Sequence, residues 1–457
     1  MPRVPSDVKT VNEAGVVNVV NSIRTSGSDL YRSIVPIANG TNESARQVGG
    51  IIVGNPVLYN EFLNTLVNRI ARVIITSKLY RNPWEVFKKG LLETGETVEE
   101  IFVGLVKAHE YDPGVAEREI YKREKPNVLA AYHVMNYKKF YKTTVSYQEL
   151  KTAFVSWSGV EDLINRIIEQ LYASANYDEF LAMKYLIARN VLNGMFKTVE
   201  MSEITEGNTN AALTIFKSVS NNLQFMSSSY NYAGVETYTD KSSQILIMTG
   251  NLDAAIDVNS LASAFNMDKA EFMGNRVMVD NFYEFGNRLD SLFDGNSWYQ
   301  PLTKDDIAKL KTIQAVLVDA DFFMIFDNLD ETTSKFNEQG LYWNYWYHVW
   351  RTVSSSPFAN AIVFAPGESL VTEVAVSPDS SNVKPGQSIQ FIANVTTTGI
   401  AEKAVDWSIL GNKDTNTTVS WTGAVSIGKN ETAGTITVTA TSRFDPSKSG
   451  SATITVA

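Results

Sequence analysis

Four carboxylates fall close together in "AVLVDADFFMIFDNLD", at Asp319, Asp321, Asp327 and Asp330. Paired carboxylates are the usual material of general acid and base work. These flank an apolar run, however, and their setting reads as the turns around a strand. They also fail as a calcium loop, because the glycine and the twelfth-position glutamate do not fall at the required spacing. The three histidines, His109, His133 and His348, lack HExxH spacing and read as ordinary hydrogen-bonding residues. Ser381 and Lys384 make an SxxK match inside "SSNVKPGQ", but it lies in a Pro and Gly turn and its partner motifs are missing. No P-loop, GxGxxG or GxSxG occurs. The chain has no cysteine, which removes disulfides, thiolate metal sites and a cysteine nucleophile together. The expectation is a protein that is not an enzyme, with no catalytic residue, no metal ligand and no cofactor.

The densest aromatic stretch is "GLYWNYWYHVWRT", residues 340–352, with three of the chain's eight tryptophans. A sugar platform, a catalytic pocket and a buried strand are the possible readings. As a strand it sets Tyr342, Trp346 and Trp350 on one face and Leu341, Trp343, Tyr345, Tyr347 and Val349 on the other. Both faces are apolar, so both should be covered, and each large ring buries about 150 to 250 Å². Trp343, Trp346 and Trp350 are therefore expected in a core strand. Residues 315–330 read as its neighbouring strand and "FANAIVF", 358–364, as the next.

Composition sets the frame for these elements. With 457 residues, 44% apolar and 20% charged, the chain is globular and long enough for two or three domains. Its start has no signal-peptide core, and no apolar run approaches the roughly 18 residues of a membrane span, so neither export by that route nor a membrane is expected. A net charge of -10 argues against gripping nucleic acid by counterion release, which needs a basic footprint.

Leu58, Phe62, Leu66, Ile70 and Ile74 recur at four-residue spacing, one face of a helix. A second helix is expected from "SGVE", with Ser158 and Glu161 as a capping box. It should break at Asn176 and Asp178 and run on to a stop at Gly194. Between them, 88–145 is the most charged segment. Residues 98–106 read as a strand, "YDPG" at 111–114 as a turn, and 140–145 as the return strand. The segment reads either as a solvated hairpin or as an arm whose Arg118, Glu119, Lys122, Arg123 and Glu124 meet another subunit.

After "FAPGESLVTEV" the chain turns rich in Thr, Ser, Val and Gly, with the boundary near Pro366 and Gly367. Short runs alternating apolar residues with Thr or Ser between turns give the pattern of an antiparallel sandwich, with Trp407 as its core plug. The order of "VSP", "VKPGQ", "VDWS" and the closing Thr-rich strands resembles the bacterial immunoglobulin-like group 2 module over 371–457. With that tail in place, "KKGLLETGETVEEIF", "YKREKPNVLAAYH", "ELKTAFVSW", "AVLVDADFFMIFDNL" and "GLYWNYWYHVWRTVSSSPFANA" together resemble the major capsid protein of small short-tailed phages of Gram-positive bacteria, the phi-twenty-nine type.

That resemblance implies an α+β capsid fold of the Hong Kong ninety-seven type over 1–366, followed by an all-β immunoglobulin-like sandwich. Within it, 1–54 would be the N-terminal arm, 84–145 the extended loop, 146–200 the spine-helix region of the peripheral domain, and 241–300 the axial region. It implies self-assembly through pentamers and hexamers into an icosahedral or elongated head shell, built in the host cytoplasm and carried in the virion. The implied partners are a scaffolding protein, a portal ring, head fibres and packaged double-stranded DNA held by proximity. Some relatives join subunits by a Lys to Asn cross-link, and no motif here carries that reaction. The competing reading is a secreted or surface protein, carbohydrate-binding or adhesive, that displays the immunoglobulin-like module. The absence of an export signal counts against it.

Overall fold

The computed structural model describes residues 13–73, 81–92, 97–119, 121, 127–205, 208–261, 276–296 and 299–457. The chain forms two compact units, one from Met1–Glu96, Val134–Ala182 and Ile325–Val353, the other from Thr97–His133, Met183–Met324 and Ser354–Ala457. Among the described residues no helix is long and apolar enough to cross a membrane.

The first unit is helices laid on one face of a sheet. Its strands run in the order Lys88–Leu91, Phe323–Asn337, Tyr342–Ser355, Tyr137–Ser146. The aromatic strand pairs antiparallel with the last of these, from Tyr342 opposite Ser146 to Arg351 opposite Tyr137. Period-two alternation then sorts its side chains. Trp343, Tyr345 and Val349 are buried. Trp343 stacks against Tyr345 and donates Nε1–H to Asn60 Oδ1 at 3.1 Å. Trp346 and Trp350, expected in the core, are instead only half-buried. Lys142 and Lys138 lie over their rings at 5.8 and 5.3 Å, so lysine side chains replace a second protein layer on this face.

Helices pack on the buried face. Leu58, Phe62 and Leu66 of helix Pro56–Val73 are fully buried, while the Ile70 side chain and Ile74 lie outside the described residues. The stretch read as an N-terminal arm holds helices Glu13–Ser26, Asp29–Ile34 and Asn42–Gly54 from residue 13 onward. Val16, Val20, Ile23, Val48 and Ile52 join the same core. Helix Trp157–Ile168 starts one residue before the expected cap, and the capping oxygen is Ser156 Oγ, which accepts Gly159 N–H at 3.1 Å. The expected break at Asn176 and Asp178 is absent. A π-helical turn at Glu169–Ala173 precedes helix Ser174–Leu192, and Asp178 is buried, accepting the Tyr141 hydroxyl at 2.9 Å. The helix does end at Gly194, whose φ of +71° closes the last turn.

The second unit is built on a five-stranded sheet in the order Lys197–Glu200, Ala361–Ala365, Ala315–Asp319, Gln244–Thr249, Arg276–Val279. The two strands "AVLVD" and "AIVFA" are almost wholly buried, as near-continuous apolar runs covered on both faces should be. Helix Thr209–Asn222 covers one side, its Phe216 meeting Phe364 edge to face at 4.6 Å. The single strand expected over 315–330 is two strands here, because Asp319 Oδ1 accepts Asp321 N–H at 2.8 Å and turns the chain. The tail from Leu370 onward is all β, in sheets of two, four and three strands. Fully buried Phe391 sits in its core. Trp407, expected to be the plug, is half-buried and packs on that core's margin.

Candidate assembly interface

The residues with potential chemistry are tied up structurally. Asp327 and Asp330 do not sit in turns. They surround buried Arg351, whose Nε lies 2.7 Å from Asp327 Oδ1 and whose Nη2 reaches both Asp330 oxygens at 2.9 Å. Glu179 completes the cluster, 3.0 Å from Arg351 Nε and 3.2 Å from Lys88 Nζ, with Asn82 donating to its other oxygen. Burial raises the Asp327 pKa and outweighs Arg351 and Lys88. At Glu179 burial also pushes upward, but Lys88 and Arg351 win and its pKa is lowered. Both Glu179 oxygens, both Asp330 oxygens and Asp327 Oδ1 face a cation or an amide, so the group is an internal pin. Asp319 accepts the Thr239 hydroxyl at 2.6 Å. His348 Nε2 meets Thr333 Oγ1 at 3.1 Å. Among the described residues no group of three His, Asp or Glu side chains could hold a metal ion. Ser381 lies in strand Ser380–Val383, opposite Ile454, and is not at a helix start.

The feature without an internal explanation is a two-stranded ribbon of Thr97–Val103 and Val128–Val134. The first strand was expected. The return strand was expected at 140–145, but Tyr137–Ser146 pairs with the aromatic strand, so its place in the ribbon falls to "VLAAYHV". Alternation gives the ribbon two faces. Phe102, Leu129 and Ala131 pack inward on buried Ala233, Val235 and Phe358, with Phe102 stacked on Phe358 at 5.7 Å. Beside them His133 Nδ1 meets Ser354 Oγ at 2.8 Å and its Nε2 meets Glu100 Oε2 at 3.1 Å, while Ser356 donates to Glu100 at 2.7 Å. The outward face carries Ile101, Val103, Val128 and Tyr132, 58, 58, 51 and 64% exposed. Leu105, Val106, Tyr111 and Tyr121 are also exposed toward the tip. The "YDPG" turn is the start of a short helix, Pro113–Glu119, with Pro113 in its first position.

A ribbon this thin is marginal by itself, and contiguous exposed apolar area marks an interaction site. The residues expected to make that contact behave differently. Arg118 is exposed and donates to Gly114 O at 3.0 Å within its own turn. The Glu119 side chain and all of Lys122, Arg123 and Glu124 lie outside the described residues. Sequence reading weighted the charges and missed the apolar face, which no regular alternation in 97–103 or 128–134 announces.

This fold occurs in phage capsids. It matches the capsid structure of Staphylococcus phage Andhra with a TM-score of 0.50 at 14% identity, covering 64% of this chain and 85% of that one. The fold is therefore that of a phage capsid protein. Residues 20–365 match the Phi29-like phage major capsid protein family, and the chain belongs to that family as a structural protein of the phage virion. The major capsid protein of Bacillus phage B103 is 38% identical over 438 residues, spanning 93% of this chain and 90% of the relative. That of Bacillus phage PZA is 37% identical over 436 residues with the same coverage. The adhesive surface-protein reading finds no favour here.

Proposed function

We propose that copies of this chain close into the phage head shell by seating the ribbon's outward face on a neighbouring copy. The observation that carries this is the row Ile101, Val103, Val128 and Tyr132, apolar and exposed on a ribbon whose other face is already packed. Each contact can be modest, since a closed shell repeats it in every pentamer and hexamer. In the Hong Kong ninety-seven scheme, residues 84–145 serve as the extended loop, 146–200 as the spine-helix region, 241–300 as the axial region and 1–54 as the arm, within a capsid domain of 1–366. The tail, 371–457, serves as an immunoglobulin-like group 2 module, a reading supported by its all-β pairing around Phe391. A scaffolding protein and a portal ring guide closure, head fibres attach outside, and double-stranded DNA fills the interior. A net charge of -10 suits that lining, because a basic one would hold the genome by counterion release. Co-expression with the scaffolding protein tests the proposal. Closed shells by sedimentation and electron microscopy are expected, and a product limited to monomers or small oligomers would sink it.

A further inference from the structure

Polar contacts fasten the tail to the rest of its unit in two places. At the first, residues 400–403 lie along the edge strand Lys197–Glu200. Lys197 Nζ pairs with Glu402 Oε2 at 3.0 Å, Thr198 donates to Ile400 O, and Lys403 N–H donates to Gly194 O at 3.0 Å. At the second, Arg443 reaches out of the tail and donates Nη1–H to the carbonyls of Asn231 and Tyr232 at 3.2 and 3.0 Å, while its Nε–H pairs with Asp406 at 2.7 Å. Gly234 makes room for it: φ there is +67°, and a Cβ would stand 1.9 Å from Arg443 Nη2. The loop so gripped supplies Ala233 and Val235, the surface on which the ribbon's inward face packs. Trp421 of the tail meets Phe358 edge on at 5.9 Å, and Phe358 is the ring on which Phe102 stacks.

We propose that the tail acts as a buttress for the ribbon of its own subunit, holding the ribbon's base through Trp421 and Phe358 and through Arg443 and the 231–235 loop. One small apolar cluster takes residues from ribbon, body and tail, and beside it His133 and Glu100 tie the ribbon to Ser354 and Ser356 of the body. The consequence rests on the assembly reading only in that the ribbon's pose then matters for seating on a neighbour. The coupling itself is a property of the unassembled chain.

Hydrogen exchange on the unassembled full-length chain tests it. Trp421→Ala should speed exchange of ribbon amides in 97–103 and 128–134 about two- to tenfold, the effect of losing one aromatic pair. The tail strands Gly434–Ser442 and Ser449–Val456 should keep their protection. Arg443→Gln, which removes the grip on the loop without opening a cavity in the tail, should shift the same ribbon amides. If Trp421→Ala loosens the tail strands as well, the Arg443→Gln result decides. Ribbon exchange unchanged in Arg443→Gln, or in Trp421→Ala with an intact tail, overturns the buttress. Because no shells are formed, these outcomes stand apart from failure of the assembly reading, which the co-expression experiment reports.

Discussion

At the residue scale, Arg351 is the side chain on which most depends. It is 4% exposed and faces three carboxylates. Removing the cation leaves Glu179 and Asp327 with Lys88 alone, and breaking a buried charge cluster by deleting one partner costs about 3 to 5 kcal/mol. Arg351→Ala should therefore lower the urea midpoint of the chain by that equivalent, and a change below about 1 kcal/mol would mean the cluster is solvated. Two tail carboxylates give a pH prediction. The Asp414 pKa is lowered first by the Asn416 N–H, and that of Glu431 first by the Thr417 hydroxyl. A carboxylate held below its unfolded value stabilises the fold above that value and loses the effect as pH falls through the folded one. Glu431→Gln should lower the tail's melting temperature more at pH 7 than at pH 3. An equal drop at both pH values would show that packing matters there and ionisation does not.

At the element scale, the ribbon's outward face separates assembly from folding. Substituting Ile101 and Tyr132 together by Asp should abolish shells and leave the unassembled chain's stability within about 0.5 kcal/mol, as surface substitutions do. Reversing Arg118, Glu119, Lys122, Arg123 and Glu124 tests the charged tip independently. Normal shells from the Asp pair, measured by sedimentation, would return the ribbon to a solvated hairpin. The sequence made some of this legible for a physical reason. The density of aromatic residues over 340–352 identifies the strand, because rings suit a pleated, packed surface, and the two-residue period then sorts its faces. It does not say which face finds a protein layer, so the lysines over Trp346 and Trp350 were invisible. The run "VLAAYHV" is apolar at both parities, so it lacks a two-residue signal, and the return strand was assigned to 140–145 instead. Helix punctuation failed where a serine pair offered two caps: Ser156, not Ser158, aims its oxygen at the first turn. The split at Asp319 depends on a local Asp turn that carries no Gly or Pro to announce it.

At the scale of the whole molecule, the question is what one tail per subunit adds to a shell. Two roles compete: a clamp between neighbouring subunits, or a displayed module that touches the host envelope weakly. A subunit repeated around a shell multiplies small gains, since contacts that are weak singly add when their bearers are held side by side. The tail here is not on a loose tether: Glu402, Lys403, Arg443 and Trp421 all bind it to its own unit. A module held rigidly presents a defined surface to its neighbours, which favours the clamp, whereas display to a distant envelope gains from slack. Ending the chain after Gly367 tests the clamp against display, with ribbon hydrogen exchange measured alongside because the tail also buttresses the ribbon. If the tail clamps, the shortened chain should form shells that rupture at lower temperature or fail under full DNA packaging, as followed by release of the packaged DNA on heating. Shells that pack and survive heating as well as those of the intact chain would leave the clamp without support and assign the tail to display.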